Sequence, residues 1–213
     1  MKFKKIFYAC IMGGIIFMSF GCNPRNNRAY LEKRIGTEMS RVYPTERLEN
    51  LFDQFPDGFK IRQSFMDGDD LFTVEIIATS KGEPISGTVS KIGDNGSDKI
   101  FETNFQYQDG KYQFANEKDA AYWPYRGFLF EKLTLNRDVL SKLDLQEKSY
   151  SMMNGDFELR YKVTDELINS FLGIGESEQL SISLGGSNGN RGYYYSIVIE
   201  NAQGYYFRET VSD

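Results

Sequence analysis

Apolar residues recur at helical spacing near residue 30, and further on they gather in short runs separated by turn residues. Leu31, Ile35, Met39 and Val42 predict an amphipathic helix over Arg28–Val42. Tyr43-Pro44 breaks it. Thr45 is placed to cap a second, shorter helix with Leu48, Leu51, Phe52 and Phe55 on its inner face, and Pro56-Asp57-Gly58 ends that one. From there the texture is β. Phe59–Phe65, Leu71–Thr79, Ile85–Ile92, Lys99–Gln108 and Lys111–Ala115 are rich in β-branched and aromatic residues. Turn chemistry separates them at Asp67-Gly68-Asp69-Asp70, Lys81-Gly82-Glu83-Pro84, Asp94-Asn95-Gly96-Ser97 and Gln108-Asp109-Gly110. Such short connections make antiparallel hairpins, because a parallel pair needs a crossover of about a dozen residues or more.

Asn116–Phe130 is aromatic and has no clean period, and Asn136–Leu143 reads as a short helix. Tyr150–Asn154 and Phe157–Val163 read as a hairpin around Asn154-Gly155-Asp156. Thr164–Leu172 reads as a capped helix stopped by Gly173. Gln179–Leu184, Tyr193–Ile199 and Tyr205–Val211 are three closing strands, separated by the loop Gly185–Gly192 and the Ala202-Gln203-Gly204 turn. The sum predicts an α+β fold, an antiparallel meander sheet packed against N-terminal helices in a single domain.

The segment before this domain changes the picture. Met1-Lys2-Phe3-Lys4-Lys5 is a basic head, Ile6–Phe20 carries no charge, and Gly21-Cys22 closes the run. This is the plan of a secretory signal with a cysteine at the cleavage site, the acceptor for diacylglycerol in bacterial lipoproteins. Ser19 stands where such signals usually carry an aliphatic residue. Ile6–Phe20 is 15 residues long, short of the roughly 20 that cross a bilayer. The expectation is a signal peptide over 1–21, a lipidated tether over 22–27 and a domain over 28–213. Cleavage falls between Gly21 and Cys22, and the protein sits on the extracytoplasmic face of the cell membrane.

Only Cys10 and Cys22 exist, and Cys10 leaves with the signal, so an acylated Cys22 leaves neither thiol nor disulfide in the mature protein. Losing Lys2, Lys4 and Lys5 moves the formal net charge from −5 to −8, which disfavours nucleic acid as a partner. Arg25, Arg28, Lys33 and Arg34 crowd the start of the domain. They suit either anionic headgroups or an ordinary solvated helix face. The tether has no Gly/Ser- or Pro-rich stalk to lift the domain away from the bilayer. Oligomeric state has no signal in the chain.

Three segments carry a family resemblance. Tyr43-Pro44 running into Leu48-Glu49-Asn50-Leu51-Phe52-Asp53, the strand after Met66-Asp67-Gly68-Asp69, and the close Tyr195-Ser196-Ile197-Val198-Ile199-Glu200-Asn201 with Tyr205-Tyr206-Phe207 resemble the tandem lipoproteins of staphylococci. These are also called conserved staphylococcal antigen lipoproteins. Tyr122-Trp123-Pro124-Tyr125 departs from that pattern. The resemblance implies a membrane-anchored surface lipoprotein of a kind implicated in host-cell interaction and innate immune stimulation, and it implies no known enzymatic activity.

Catalytic equipment is sparse. The chain has no histidine, which removes Ser-His-Asp hydrolysis, histidine-ligated zinc and the commonest neutral-pH base. Asp67, Asp69, Asp70, Asp94 and Asp98 sit in turn signals, and the first three lack the ligand series of a calcium loop. Gly185–Gly192 lacks the ending of a phosphate-binding loop, and Asn95-Gly96-Ser97 reads as a hairpin turn rather than a glycosylation site. No metal and no cofactor is expected. The aromatics Tyr122, Trp123, Tyr125 and Tyr194 are the candidate interaction surface, the alternative being that they fill the core. Alternation sends Tyr193 and Tyr195 to one face and Tyr194 to the other.

Three functions fit. One is a non-catalytic surface lipoprotein, held in the membrane by diacylglycerol on Cys22 and binding a host-cell protein. The second is a small-molecule or lipid-binding lipoprotein of the cell envelope, which needs a continuous apolar cavity. The third is a hydrolase using a carboxylate pair in one cleft.

Overall fold

The computed structural model describes residues 25–93, 98–187 and 192–213. The expected signal peptide, Gly21, Cys22, the expected turn at residues 94–97 and residues 188–191 of the expected loop lie outside them.

Ten strands form one antiparallel sheet: β1 Phe59–Asp67, β2 Asp70–Ala78, β3 Ile85–Ile92, β4 Lys99–Gln108, β5 Lys111–Phe114, β6 Asp144–Tyr150, β7 Phe157–Val163, β8 Leu180–Gly186, β9 Tyr194–Glu200 and β10 Tyr206–Ser212. Their order is β5-β4-β3-β2-β1-β10-β9-β8-β7-β6. The chain therefore walks outward from β1 to β5 by hairpins, crosses to the opposite edge, and walks back from β6 to β10. The two five-stranded halves meet where β10 pairs with β1. Among the described residues three short α-helices, α1 Arg28–Met39, α2 Arg137–Leu140 and α3 Glu166–Leu172, accompany the sheet, with 3₁₀ turns at Leu48–Asp53, Glu117–Tyr122 and Leu129–Glu131.

Alternation assigns the two faces. Phe59, Ile61 and Phe65 of β1 point to the core with Phe72, Val74 and Ile76 of β2, while Lys60 and Arg62 point outward. Leu159 and Tyr161 of β7, Ile182 and Leu184 of β8, and Ile197 and Ile199 of β9 continue the buried face. Two structures cover it. Helix α1 lays Leu31, Ile35 and Met39 against it, and the crossover between β5 and β6 buries Trp123, Phe128, Leu129, Phe130 and Leu135. The opposite face of the sheet is open.

Several expectations are corrected. Helix α1 ends at Met39, with Ser40 as its C-cap, instead of reaching Val42. The second helix is a 3₁₀ turn that Thr45 does not cap; the Thr45 hydroxyl donates to the Val42 carbonyl instead (2.6 Å). The strand placed at Tyr150–Asn154 lies earlier, at Asp144–Tyr150. It is an edge strand with both faces largely exposed, so it carries no alternation to read. The aperiodic stretch Asn116–Phe130 is two 3₁₀ turns and a loop laid across the core face.

Candidate functional site

The core face carries two polar residues at its centre. Gln63 lies between Ile61 and Phe65 on β1, Glu209 lies between Phe207 and Val211 on β10, and the two are paired across the seam. Both are fully buried. Each Glu209 oxygen receives two donors. Oε1 accepts from the Tyr43 hydroxyl (2.9 Å) and the Phe130 N–H (3.0 Å), and Oε2 accepts from the Leu129 N–H (2.7 Å) and Gln63 Nε2 (3.2 Å). Gln63 in turn accepts from Trp123 Nε1 (2.7 Å) and donates to the Gly127 carbonyl (3.2 Å). The carboxylate thereby satisfies the orphan N–H groups at the start of the 3₁₀ turn Leu129–Glu131 from across the core. Burial pushes the Glu209 carboxyl up to about 7, against the pull of its four donors. Burial also raises the Tyr43 phenol, with the neighbouring Glu209 adding to the effect.

A second carboxyl grips the same segment. Glu131 Oε2 accepts from the Phe128 N–H (3.0 Å) and Oε1 from the Tyr112 hydroxyl (2.5 Å), and burial raises its pKa. Both carboxyls thus have the raised pKa that carboxylate chemistry uses, yet their lone pairs are committed to holding the crossover. Among the described residues no group of three or more His, Cys, Asp or Glu is placed to hold a metal.

The four aromatics of the candidate surface separate. Trp123 is fully buried, with its ring centroid 4.8 Å from Tyr112, 5.1 Å from Phe105 and 5.3 Å from Phe128. It belongs to the core and not to a recognition surface. Tyr125 is half-buried, edge-on to Phe65 and stacked on Phe171, and shares a hydrogen bond with the Tyr205 hydroxyl (2.7 Å). Tyr122 is 41% exposed but leans on the core-face rings of Phe72 and Phe101. Tyr194, 43% exposed, stands on the open face. The aperiodic aromatic stretch carried no sign of its burial, because irregular backbone has no period that marks an inner side.

Around Tyr194 the open face forms a groove of about 610 Å³ over β2, β1, β10 and β9, lined among others by Lys60, Arg62, Leu71, Tyr206 and Arg208. Alternation on three adjacent strands brings these residues together. Glu75 lies 2.9 Å from Lys60 Nζ and 3.6 Å from Arg62 Nε, and Arg208 Nη2 donates to the Tyr194 hydroxyl (3.3 Å). Three cations thus share this patch with one carboxylate, in a chain whose overall charge is negative. Sequence reasoning singled out Tyr194 alone. The arginines were separated by some 146 positions, and only the β1–β10 pairing makes them neighbours.

Two members of the basic cluster at the start of the domain, Arg28 and Arg34, pack against it. Arg28 Nε donates to Glu32 (2.7 Å), and its Nη2 donates to the carbonyls of Ser141 (3.1 Å) and Leu143 (3.0 Å). Arg34 lies over the Phe157 ring, 5.3 Å from its centroid. Lys33 is exposed.

No known family model matches this chain, and no curated protein matches it.

Proposed function

We propose that this protein is a lipid-anchored bacterial surface lipoprotein that works by binding, presenting the open face of its sheet to an acidic protein partner on host cells. The observation that carries the reading is the groove around Tyr194, where Lys60, Arg62 and Arg208 gather on the uncovered sheet face. Cations opposite an acidic partner speed encounter and set specificity, and an exposed tyrosine adds apolar area at small entropic cost. Membrane attachment follows from the signal-like segment ending in Gly21-Cys22. Diacylglycerol on Cys22 supplies immune stimulation in this reading, independently of the folded domain.

The cargo alternative asks for an apolar cavity. The space between sheet and crossover is instead filled by Trp123, Phe128, Phe130 and Phe105, all essentially inaccessible, which favours binding by the outer surface.

Binding of residues 23–213, without lipid, to cultured mammalian cells tests the proposal by flow cytometry. Saturable binding that is abolished by boiling and lost in Arg62→Glu/Arg208→Glu is the expected result. Binding no greater than that of the boiled sample overturns the host-adhesion reading.

A further inference from the structure

The β6–β7 hairpin ends in Ser151-Met152-Met153-Asn154, where Met152 is 79% and Met153 is 99% exposed. They are the only consecutive pair among the exposed large hydrophobic residues of the described chain. Two bare, flexible apolar side chains at a hairpin tip suit a soft and irregular partner.

The start of the domain lies against the same hairpin. Arg25 Nη1 donates to the Tyr150 hydroxyl (3.2 Å), Lys148 Nζ donates to the Asn26 carbonyl (2.9 Å), and Asn27 caps α1 through the Tyr30 N–H (2.9 Å). The chain therefore enters the domain along β6. Cys22 is three residues before Arg25, a reach of at most about 11 Å in an extended chain, and Met152 is two residues past Tyr150, at most about 7 Å. The polar layer of one leaflet is roughly 5–7 Å deep, so an acyl chain rooted at Cys22 brings the bilayer to the hairpin tip.

We propose that Met152 and Met153 rest in the bilayer interface beside the lipid anchor, as a second contact that fixes how the domain stands on the membrane. The inference depends on the anchoring at Cys22 proposed above. Half-buried Tyr150 sits at the level that amphipathic rings favour, and Arg25 and Lys148 beside it meet anionic headgroups. A lipid tether alone leaves a domain free to tumble; a second contact beside it restricts that motion. The β4–β5 hairpin, at the opposite edge of the sheet, is then held away from the bilayer.

The test uses the full-length, acylated protein in vesicles of phosphatidylethanolamine and phosphatidylglycerol. Met153→Cys and, separately, Lys111→Cys carry an environment-sensitive fluorophore, with Cys22 blocked by its lipid. The expected result is a blue-shifted emission at 153 that shallow spin-labelled lipid quenches, and an aqueous, unquenched emission at 111. Adding Met152→Ser is expected to weaken the quenching at 153. Aqueous emission at both positions, in protein that floats with the vesicles, overturns the hairpin contact while leaving the anchor intact. Protein that fails to float, and behaves like Cys22→Ser, overturns the anchoring and the contact together.

Discussion

Gln63 and Glu209 face each other across the seam that joins the two halves of the sheet, with Gln63 Nε2 3.2 Å from Glu209 Oε2. The hydrogen bonds around the pair tie β1, β10, the loop at Tyr43 and the crossover together. Tyr43 and Glu209, joined in this network, are 166 positions apart in the chain.

Removing the carboxylate exposes that dependence. Glu209→Ala orphans four donors in a dry core and is expected to cost about 3–5 kcal/mol. Glu209→Gln keeps the shape but turns an NH₂ toward two donors, for a smaller loss of about 1–3 kcal/mol. Urea denaturation of the mature domain measures both. A Glu209→Ala protein of unchanged stability contradicts the hydrogen-bond assignment.

The same carboxyl gives stability a pH dependence. Its folded pKa of about 7 lies above the ordinary value of 4.5, chiefly through burial. Between those values the native state holds a proton that the unfolded state has released, so stability falls as pH rises through the window. The loss is on the order of 3 kcal/mol, fully developed above pH 7 and absent below pH 4.5. Glu131, also raised by burial, adds to it with the same sign. Denaturation midpoints measured at about pH 5 and about pH 8 should differ in the wild type, and the difference should shrink in Glu209→Gln to the share that Glu131 leaves.

Trp123 is the chain's single tryptophan and lies wholly inside it. Its native fluorescence is expected to be blue-shifted and to move red on unfolding. Trp123→Phe preserves most of the ring packing but strands Gln63 Oε1, for about 1–3 kcal/mol. Trp123→Ala also opens a cavity and costs about 3–5 kcal/mol, so any binding it loses reports unfolding rather than a missing contact.

Gly36 reverses the usual helix rule. In the interior of α1 an alanine would gain about 0.5–1 kcal/mol of propensity. Here the added Cβ would lie 2.4 Å from the Arg137 backbone nitrogen and 2.8 Å from its Cα, where α2 crosses α1. Gly36→Ala is expected to destabilise by about 1–3 kcal/mol, read as a lowered thermal midpoint. A raised midpoint would mean that α1 and α2 do not pack this closely.

Local chemistry was legible in the sequence wherever it acts within a few residues. The limits of β3 and β4 follow from their own alternation and flanking turns. The turn between β1 and β2 follows from Asp67-Gly68-Asp69-Asp70, with Gly68 at φ 61°. Asp165 and Gly173 cap α3 at either end as a capped helix requires. Even the buried pair left a trace, since Gln63 and Glu209 each replace an apolar residue in a strict alternation. Which strand lies beside β1, what the 115–143 crossover buries, and which cations share the groove were decided by the tertiary structure alone. Alternation states which side of a strand is apolar but not which strand adjoins it, and an aperiodic segment shows its inner side only once a sheet lies beneath it.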